Sequence, residues 1–262
     1  MSTPQIQFDD GAAYERYMGK WSQKAGDAFL DWLSPAPGLR WLDVGCGNGA
    51  FTEMVFDRCA PAGVVGIDPS EAQLAFARTR LEARGATFRN ADAMALPFNA
   101  DVFDVAVMPL VIFFVPDPAR GVAEMSRVVR SGGSVAAYAW DLPDGGFPYA
   151  LLMNELRAMG RVVPEAPSPD ASRLENLQAL WKGAGLTEVT THVITVQRTF
   201  DDFDDYWTTV KGAPSAGRSL AAMAADDVTR LQATLRERLP ADSSGRITCS
   251  ARAHAVKGQV QE

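Results

Sequence analysis

The sequence predicts an α/β fold: a doubly wound, mostly parallel sheet with helices on both faces. Three observations carry this prediction. Short apolar, β-branched runs alternate with helical periodicity through residues 39–140. The first run leads straight into a glycine-rich turn, GCGNG, and a helix begins where that turn ends. Acidic residues then close three successive runs, at Asp43, Asp68 and Asp92.

Each element has its own signal. Over residues 14–33, Tyr14, Tyr17, Met18, Trp21, Ala25, Ala28, Phe29 and Trp32 recur at helical spacing, and Pro35, Pro37 and Gly38 stop the helix. Residues 39–44 form the first strand, 50–59 a helix and 64–67 the second strand. Ser70 with Gln73 is a capping-box pattern and opens a helix to Arg84, stopped at Gly85. Residues 87–89 and 103–108 are the third and fourth strands. A helix is predicted over 117–130, stopped by Gly132 and Gly133, and a fifth strand over 134–140.

Beyond Trp140 the rhythm changes. A loop, LPDGGFP, precedes a helix over 149–159. Ser172 and Glu175 predict a second capping box, opening a helix that ends at Gly185. Residues 188–199 and 246–257 alternate with period two and pair with each other. Residues 201–239 are acidic and helical; they read either as a lid over a substrate or as an embellishment that steadies the strand pair. No linker splits the chain. One domain, 1–262, is expected, with an N-terminal helical cap (1–38), a ligand-binding core (39–140) and a substrate-side part (141–262).

Composition narrows the partners. The 262 residues are 47% hydrophobic, enough for one large core. The net charge of −7 repels polyphosphate backbones, which argues against nucleic acid. Cys46, Cys59 and Cys249 form no CxxC pair and read as reduced thiols of a cytoplasmic protein. Together with two histidines they lack metal-ligand spacing, so no metal is expected. The first residues lack the basic and apolar blocks of a signal peptide. No apolar run approaches the roughly 18 residues that a membrane span needs.

The glycine-rich turn carries most of the functional information. Gly45, Gly47 and Gly49 let a ligand approach the backbone, and the helix beyond them presents free N–H groups. The spacing is GxGxG, whereas the dinucleotide fingerprint is GxGxxG. Asp43, just before the turn, repels a pyrophosphate and suits an ammonium group. Asp68 closes the second strand, where a carboxylate can accept from both ribose hydroxyls. Asp92, in the run NADA, can accept from an adenine amino group. S-adenosylmethionine (SAM) has that chemistry: an ammonium, a carboxylate, a sulfonium and no phosphate. An NAD(P)-dependent oxidoreductase is the competing class; the GxGxG spacing, Asp43 and the lack of a Tyr-xxx-Lys pair stand against it. A non-catalytic SAM-binding protein would carry the same motifs.

The series LDVGCGNG, VGIDPS, NADAMALPF, FDVAVMPLVIFFVPDP and EMSRVVRSGG resembles the successive motifs of class I, Rossmann-like SAM-dependent methyltransferases. The resemblance is nearest to the bacterial branch that includes the ubiquinone/menaquinone-biosynthesis type. It spans 39–140 by motif, and YERYMGKWS, AGLTEV, FDDFDDYW and ARAHAVKG extend it towards the full length. It implies a seven-stranded sheet whose last strand is antiparallel, SAM as cofactor and S-adenosylhomocysteine as product. By this resemblance Gly45, Gly47 and Gly49, with Cys46 among them, cradle the methionine part. Asp68 and Pro69 lie at the ribose, and Asp92 and Ala93 at the adenine. Met108 and Pro109 lie beside the sulfonium. The N-terminal helix would bring Tyr14, Tyr17, Met18 or Trp21 over the cofactor, unless that face only packs in the core. The acceptor is expected to be a small molecule, with a protein or lipid quinone as runner-up, and the chain a monomer or homodimer.

Some relatives are excluded. The Asn/Asp-Pro-Pro-Tyr motif of nucleic-acid amino methyltransferases is replaced by Met108-Pro109-Leu110-Val111, and no Pro-Cys dipeptide occurs. Phe113 and Phe114 stand where many small-molecule relatives carry a histidine. The donor arrives activated, so in-line displacement needs mainly alignment, which alone can supply about 7–11 kcal/mol. No catalytic residue is assigned. His192 and His254 lie in β-like segments and read as structural, while Asp141, Tyr138 and Trp140 are better placed. An apolar pocket walled by Phe113, Phe114, Trp140 and Trp207 is expected.

Overall fold

In the computed structural model, which describes residues 15–213 and 216–261, seven strands form one sheet in the order β3-β2-β1-β4-β5-β7-β6. The strands are β1 (Arg40–Val44), β2 (Gly63–Asp68), β3 (Thr87–Asn90), β4 (Phe103–Pro109), β5 (Val129–Trp140), β6 (Thr187–Phe200) and β7 (Ile247–Gln259). The first five pair in parallel, and β7 runs antiparallel to both β5 and β6. The expected doubly wound sheet with an antiparallel last strand is therefore present. Strand order reverses between β1 and β4, and open α/β sheets bind ligands at that switch point, beyond the carboxyl ends of the strands.

The helices follow from the local signals. A π-helical turn over Glu15–Gly19 leads into α1 (Lys20–Leu33), which buries Trp21, Ala25, Phe29 and Leu33. Tyr14, placed on this helix by its spacing, lies outside the described residues. Helix α2 (Ala50–Cys59) has the predicted bounds, and α3 (Glu71–Leu81) is capped as expected, with Ser70 Oγ accepting from the Gln73 N–H at 3.4 Å. After α4 (Pro118–Val128) come α5 (Ala150–Ala158), α6 (Leu174–Gly183), α7 (Phe203–Lys211), α8 (Ala216–Ala221) and α9 (Ala225–Arg238). No helix among the described residues is long and apolar enough to cross a membrane.

Two local expectations are corrected. The helix predicted to reach residue 130 stops at Val128, and β5 starts at once, with Val129 opposite Phe103. The register then shifts before Val105 meets Ser134. Gly132 and Gly133 thus shape an irregular strand and do not end a helix. The Arg130 guanidinium bonds Asp104 at 2.6 Å across this shift. A Cβ on Gly133 would lie 2.7 Å from the Asp104 carbonyl and 2.8 Å from the Arg130 carbonyl. The second correction concerns Ser172. A short 3₁₀ turn, Pro169–Ser172, intervenes, and α6 starts at Leu174 with no side-chain cap. The Ser172 hydroxyl instead donates to the Pro169 carbonyl at 2.7 Å and accepts from the Leu142 N–H at 3.3 Å.

Substituting Gly133→Ala is expected to lower the unfolding free energy by about 1–3 kcal/mol, because backbone atoms cannot give way to the added methyl. Gly183→Ala, where a Cβ meets nothing within 4 Å, is expected to gain about 0.4–1 kcal/mol. Urea unfolding midpoints of the two variants check this pair.

Candidate active site

Three glycines in left-handed conformations build the turn after β1: φ is 76° at Gly45, 51° at Gly47 and 81° at Gly49. Each is used differently. A Cβ on Gly45 would fall 2.6 Å from Val111, in the loop after β4, and one on Gly49 would press on Ala77 and Leu81 of α3. Gly47 faces open space, so it is the point where a ligand can reach the backbone. The Gly45 and Cys46 N–H groups both donate to the Ile67 carbonyl, at 2.8 and 2.9 Å, which ties the turn to the end of β2.

Beneath the turn lies Asp43, 1% exposed. Its Oδ2 accepts from the Thr52 hydroxyl at 2.6 Å. Its Oδ1 is buried and has no hydrogen-bond partner among the described residues. Burial pushes this carboxyl up to about 7; the Thr52 hydroxyl works against that shift and the neighbouring Asp68 adds to it. An orphaned buried carboxylate oxygen beside an open glycine turn fits a ligand ammonium, and a pyrophosphate does not fit there. The donor set therefore suits the amino-acid end of SAM.

Asp68 serves the protein first. Its Oδ2 accepts from the Gly47 N–H at 3.0 Å and its Oδ1 from the Ser70 N–H at 2.8 Å. Burial raises its pKa and those two N–H bonds oppose the rise. Each oxygen keeps a lone pair for a hydroxyl. Asp92 is exposed, its Oδ1 accepting from the Met94 N–H at 2.8 Å, with Ala93 half-buried beside it. The Pro69 carbonyl is taken by the Asn90 amide at 2.9 Å. Cys46 is buried, and burial, with Asp43 and Asp68 nearby, holds its thiol well above its usual range; it packs as a small apolar group.

A cavity of about 560 Å³ opens beyond the ends of β4 and β5. Phe113, Phe114 and Trp140 line it, as expected, and so do Tyr17 and Met18 of the N-terminal turn. Trp207 does not. It is buried against Phe203, with stacked rings 6.3 Å apart, because α7 packs its apolar face on β6. Trp21 is likewise a core residue: it is fully buried and its indole N–H donates to the Tyr149 hydroxyl at 3.1 Å. Met108 is fully buried at the end of β4, while Pro109 is half-buried. None of the described residues of α7, α8 or α9 lines the cavity; α9 backs α5, the helix that does.

Spacing and periodicity did not reveal several lining residues: Leu110, Phe147, Met153, Asn154 and Arg157. Leu110 carries a signal visible only in three dimensions, a φ of 59° at a non-glycine residue, with its N–H on the Tyr138 carbonyl at 2.7 Å. Asp141, favoured from its position after β5, is consumed structurally. It is 1% exposed, pairs with the Arg252 guanidinium at 2.5 Å and stands 3.7 Å from His254. His254 Nδ1 bonds the Ser172 carbonyl at 2.9 Å, and His192 stacks on Trp32, so both histidines are structural.

Comparison with known proteins agrees with this fold. Residues 42–137 match the methyltransferase domain. The chain is 40% identical over 119 residues to 2-methyl-6-phytyl-1,4-hydroquinone methyltransferase 2, chloroplastic, of Oryza sativa subsp. japonica, which covers 44% of this chain and 33% of that protein. It is 35% identical over 145 residues to the ubiquinone/menaquinone biosynthesis C-methyltransferase UbiE of Dinoroseobacter shibae, covering 52% of this chain and 58% of that one. It thus spans a third to under two thirds of these relatives. A crystal structure described as a putative methyltransferase from Bacillus halodurans superposes with a TM-score of 0.61 at 17% identity, over 90% of this chain and 99% of that one. Its fold is that of the methyltransferase of known structure, and residues 42–137 resemble the methyltransferase domain. The relatives named here are similar to it over part of their length only.

If Asp43 meets the ligand ammonium as a carboxylate, affinity for S-adenosylhomocysteine is expected to be flat above pH 7. It should fall about tenfold per pH unit below that, as the raised carboxyl takes up a proton. Because the folded pKa lies above the unfolded one, stability is lost as pH rises from about 4 to about 7 and stays at that lower level above it. Asp43→Asn should therefore raise Tm at pH 8 while abolishing the pH dependence of binding. Calorimetric titration at pH 6, 7 and 8, with thermal melts, tests both halves.

Proposed function

We propose that the protein transfers a methyl group from SAM to a small, largely apolar aromatic acceptor of the quinol kind. The observation that supports this best is the presence of two features at the carboxyl ends of the strands: an ammonium-fitting glycine turn after β1 and an aromatic cavity of about 560 Å³ beyond β4 and β5. The quinol relatives named above add the acceptor class.

SAM bound at this turn would supply a methyl group already activated on sulfur. The protein's own part is to bind and align. Gly47 admits the ligand to the backbone, Asp43 takes the ammonium, and Asp68 uses its remaining lone pairs on hydroxyls. Asp92 and Ala93 border the adenine end, and Pro109 borders the reacting end, with Met108 packed behind it. Phe113, Phe114 and Trp140 hold a flat apolar acceptor and keep water away from it. No side chain is assigned as a general base; the acceptor is taken to enter as its phenolate, its proton already lost to solvent, and attacks the methyl carbon as neutral S-adenosylhomocysteine leaves. Alignment in a dry pocket is then the main source of rate.

The test is titration with SAM, S-adenosylhomocysteine and NAD, followed by transfer of a radiolabelled methyl group to a panel of demethylated hydroquinones. Micromolar binding of the two sulfur ligands and labelled quinol are expected. Phe114→Ala and Trp140→Ala should each lower kcat/KM about 10- to 100-fold, a loss of about 1.4–2.7 kcal/mol, with cofactor Kd within twofold. Binding of NAD alone would refute the proposal.

A further inference from the structure

Arg198 occupies an inward position of β6, in register with Ile194, Val196 and Phe200, and is 7% exposed. Among the described residues no carboxylate lies within ion-pair distance of it. Burying a cation without an anion is costly, and an apolar side chain of similar length would fill this place without that cost. The guanidinium instead rests over the Phe200 ring, 4.4 Å from its centre. Its N–H groups point at neutral acceptors: the Tyr17 carbonyl at 3.4 Å, the Tyr149 hydroxyl at 3.3 Å and the Thr209 hydroxyl at 3.5 Å.

Two of those acceptors belong to one small network. The Tyr149 hydroxyl accepts from the Trp21 indole at 3.1 Å and donates to the Tyr17 carbonyl at 2.9 Å. Tyr17 lies in the π-helical turn Glu15–Gly19, and its ring stacks on Tyr149 with centroids 4.3 Å apart. A π turn carries one residue more than an α turn, so its carbonyls are displaced from the regular ladder and need other donors. Arg198 and Tyr149 supply them to Tyr17. That extra residue also sets which way Tyr17 and Met18 face, and both face the cavity.

We propose that Arg198 is a positioning residue: through the Tyr17 carbonyl and the Tyr149 hydroxyl it holds the N-terminal π turn, and so keeps Tyr17 and Met18 in the cavity wall. Arg198 does not itself line the cavity. It acts from the far side of Tyr149, on a strand remote in sequence from everything it orders. The consequence for acceptor binding rests on the methyltransferase reading above; the structural consequence does not.

The first readout is hydrogen–deuterium exchange of the full chain. In Arg198→Met, amides over residues 17–24 should exchange at least tenfold faster, while those of β1 and α2 stay unchanged and S-adenosylhomocysteine binds within twofold. Tyr149→Phe, which keeps the ring stack and removes the hydroxyl, should act in the same direction. Arg198→Lys should fall between Arg198→Met and the native protein. With a quinol acceptor, KM should rise about tenfold while kcat stays within threefold. Unchanged exchange over 17–24 in Arg198→Met overturns the proposal, as does faster exchange spread evenly over the chain. If Arg198→Met does not fold, Tyr149→Phe decides by the same two criteria. Loss of SAM binding in the native protein would overturn the methyltransferase reading and leave the exchange result standing.

Discussion

Two backbone N–H groups, from Gly45 and Cys46, converge on the carbonyl of Ile67, and the ligand edge of the sheet is built from that point. The bifurcated contact requires the chain to leave β1 in a left-handed conformation, which glycine at 45 allows. It draws the turn over the end of β2, where Asp68 catches the Gly47 N–H. With the turn pinned, α2 starts at Ala50 and brings Thr52 onto Asp43. One oxygen of Asp43 is then enclosed without a partner among the described residues. A buried carboxyl of this kind is tolerated because it stays protonated until about pH 7. The same burial makes it a strong partner for a cation that enters the turn.

The second half of the site is assembled from segments far apart in the chain. The cavity takes Tyr17 and Met18 from the N-terminal turn, Phe113 and Phe114 from the loop after β4, Trp140 from β5 and Met153 from α5. Tyr149 is the hub of that assembly. Its ring contacts Tyr17, Trp21, Phe147 and Tyr206, and its hydroxyl serves three partners. Burial raises the pKa of this phenol to about 12, against the pull of the nearby Arg198 cation, so it remains a neutral donor. Aromatic stacking and a shared hydroxyl thus fix a wall that no single segment could hold.

Much of the fold was legible because periodicity and turn chemistry act locally. Helix α2 and the Ser70 cap of α3 follow from a few neighbouring residues each. The failures have a common cause. Gly132 and Gly133 read as a helix stop, yet their role is set by Asp104 and Arg130 across a strand shift. Ser172 with Glu175 reads as a cap, yet a 3₁₀ turn and the Leu142 N–H claim the hydroxyl. Trp207 and Trp21 read as site residues, but packing against Phe203 and Tyr149 turns them into the core. At Gly133, Ser172 and Trp21 a partner distant in sequence outbids the local pattern, and at Trp207 the packing of the whole helix face on β6 does.

The sequence by itself determined the order of strands and helices through β5, the glycine turn, and the acidic residues at or just beyond the ends of three successive strands. Those features depend on contacts within a few residues or on the period of side-chain burial, which a linear text records. Tertiary structure alone decided which aromatic rings face a cavity, that Asp141 is spent on Arg252, and that Arg198 is buried beside Tyr149. A side chain's neighbours across the sheet depend on register and on how helices settle over it, and no local signal encodes either.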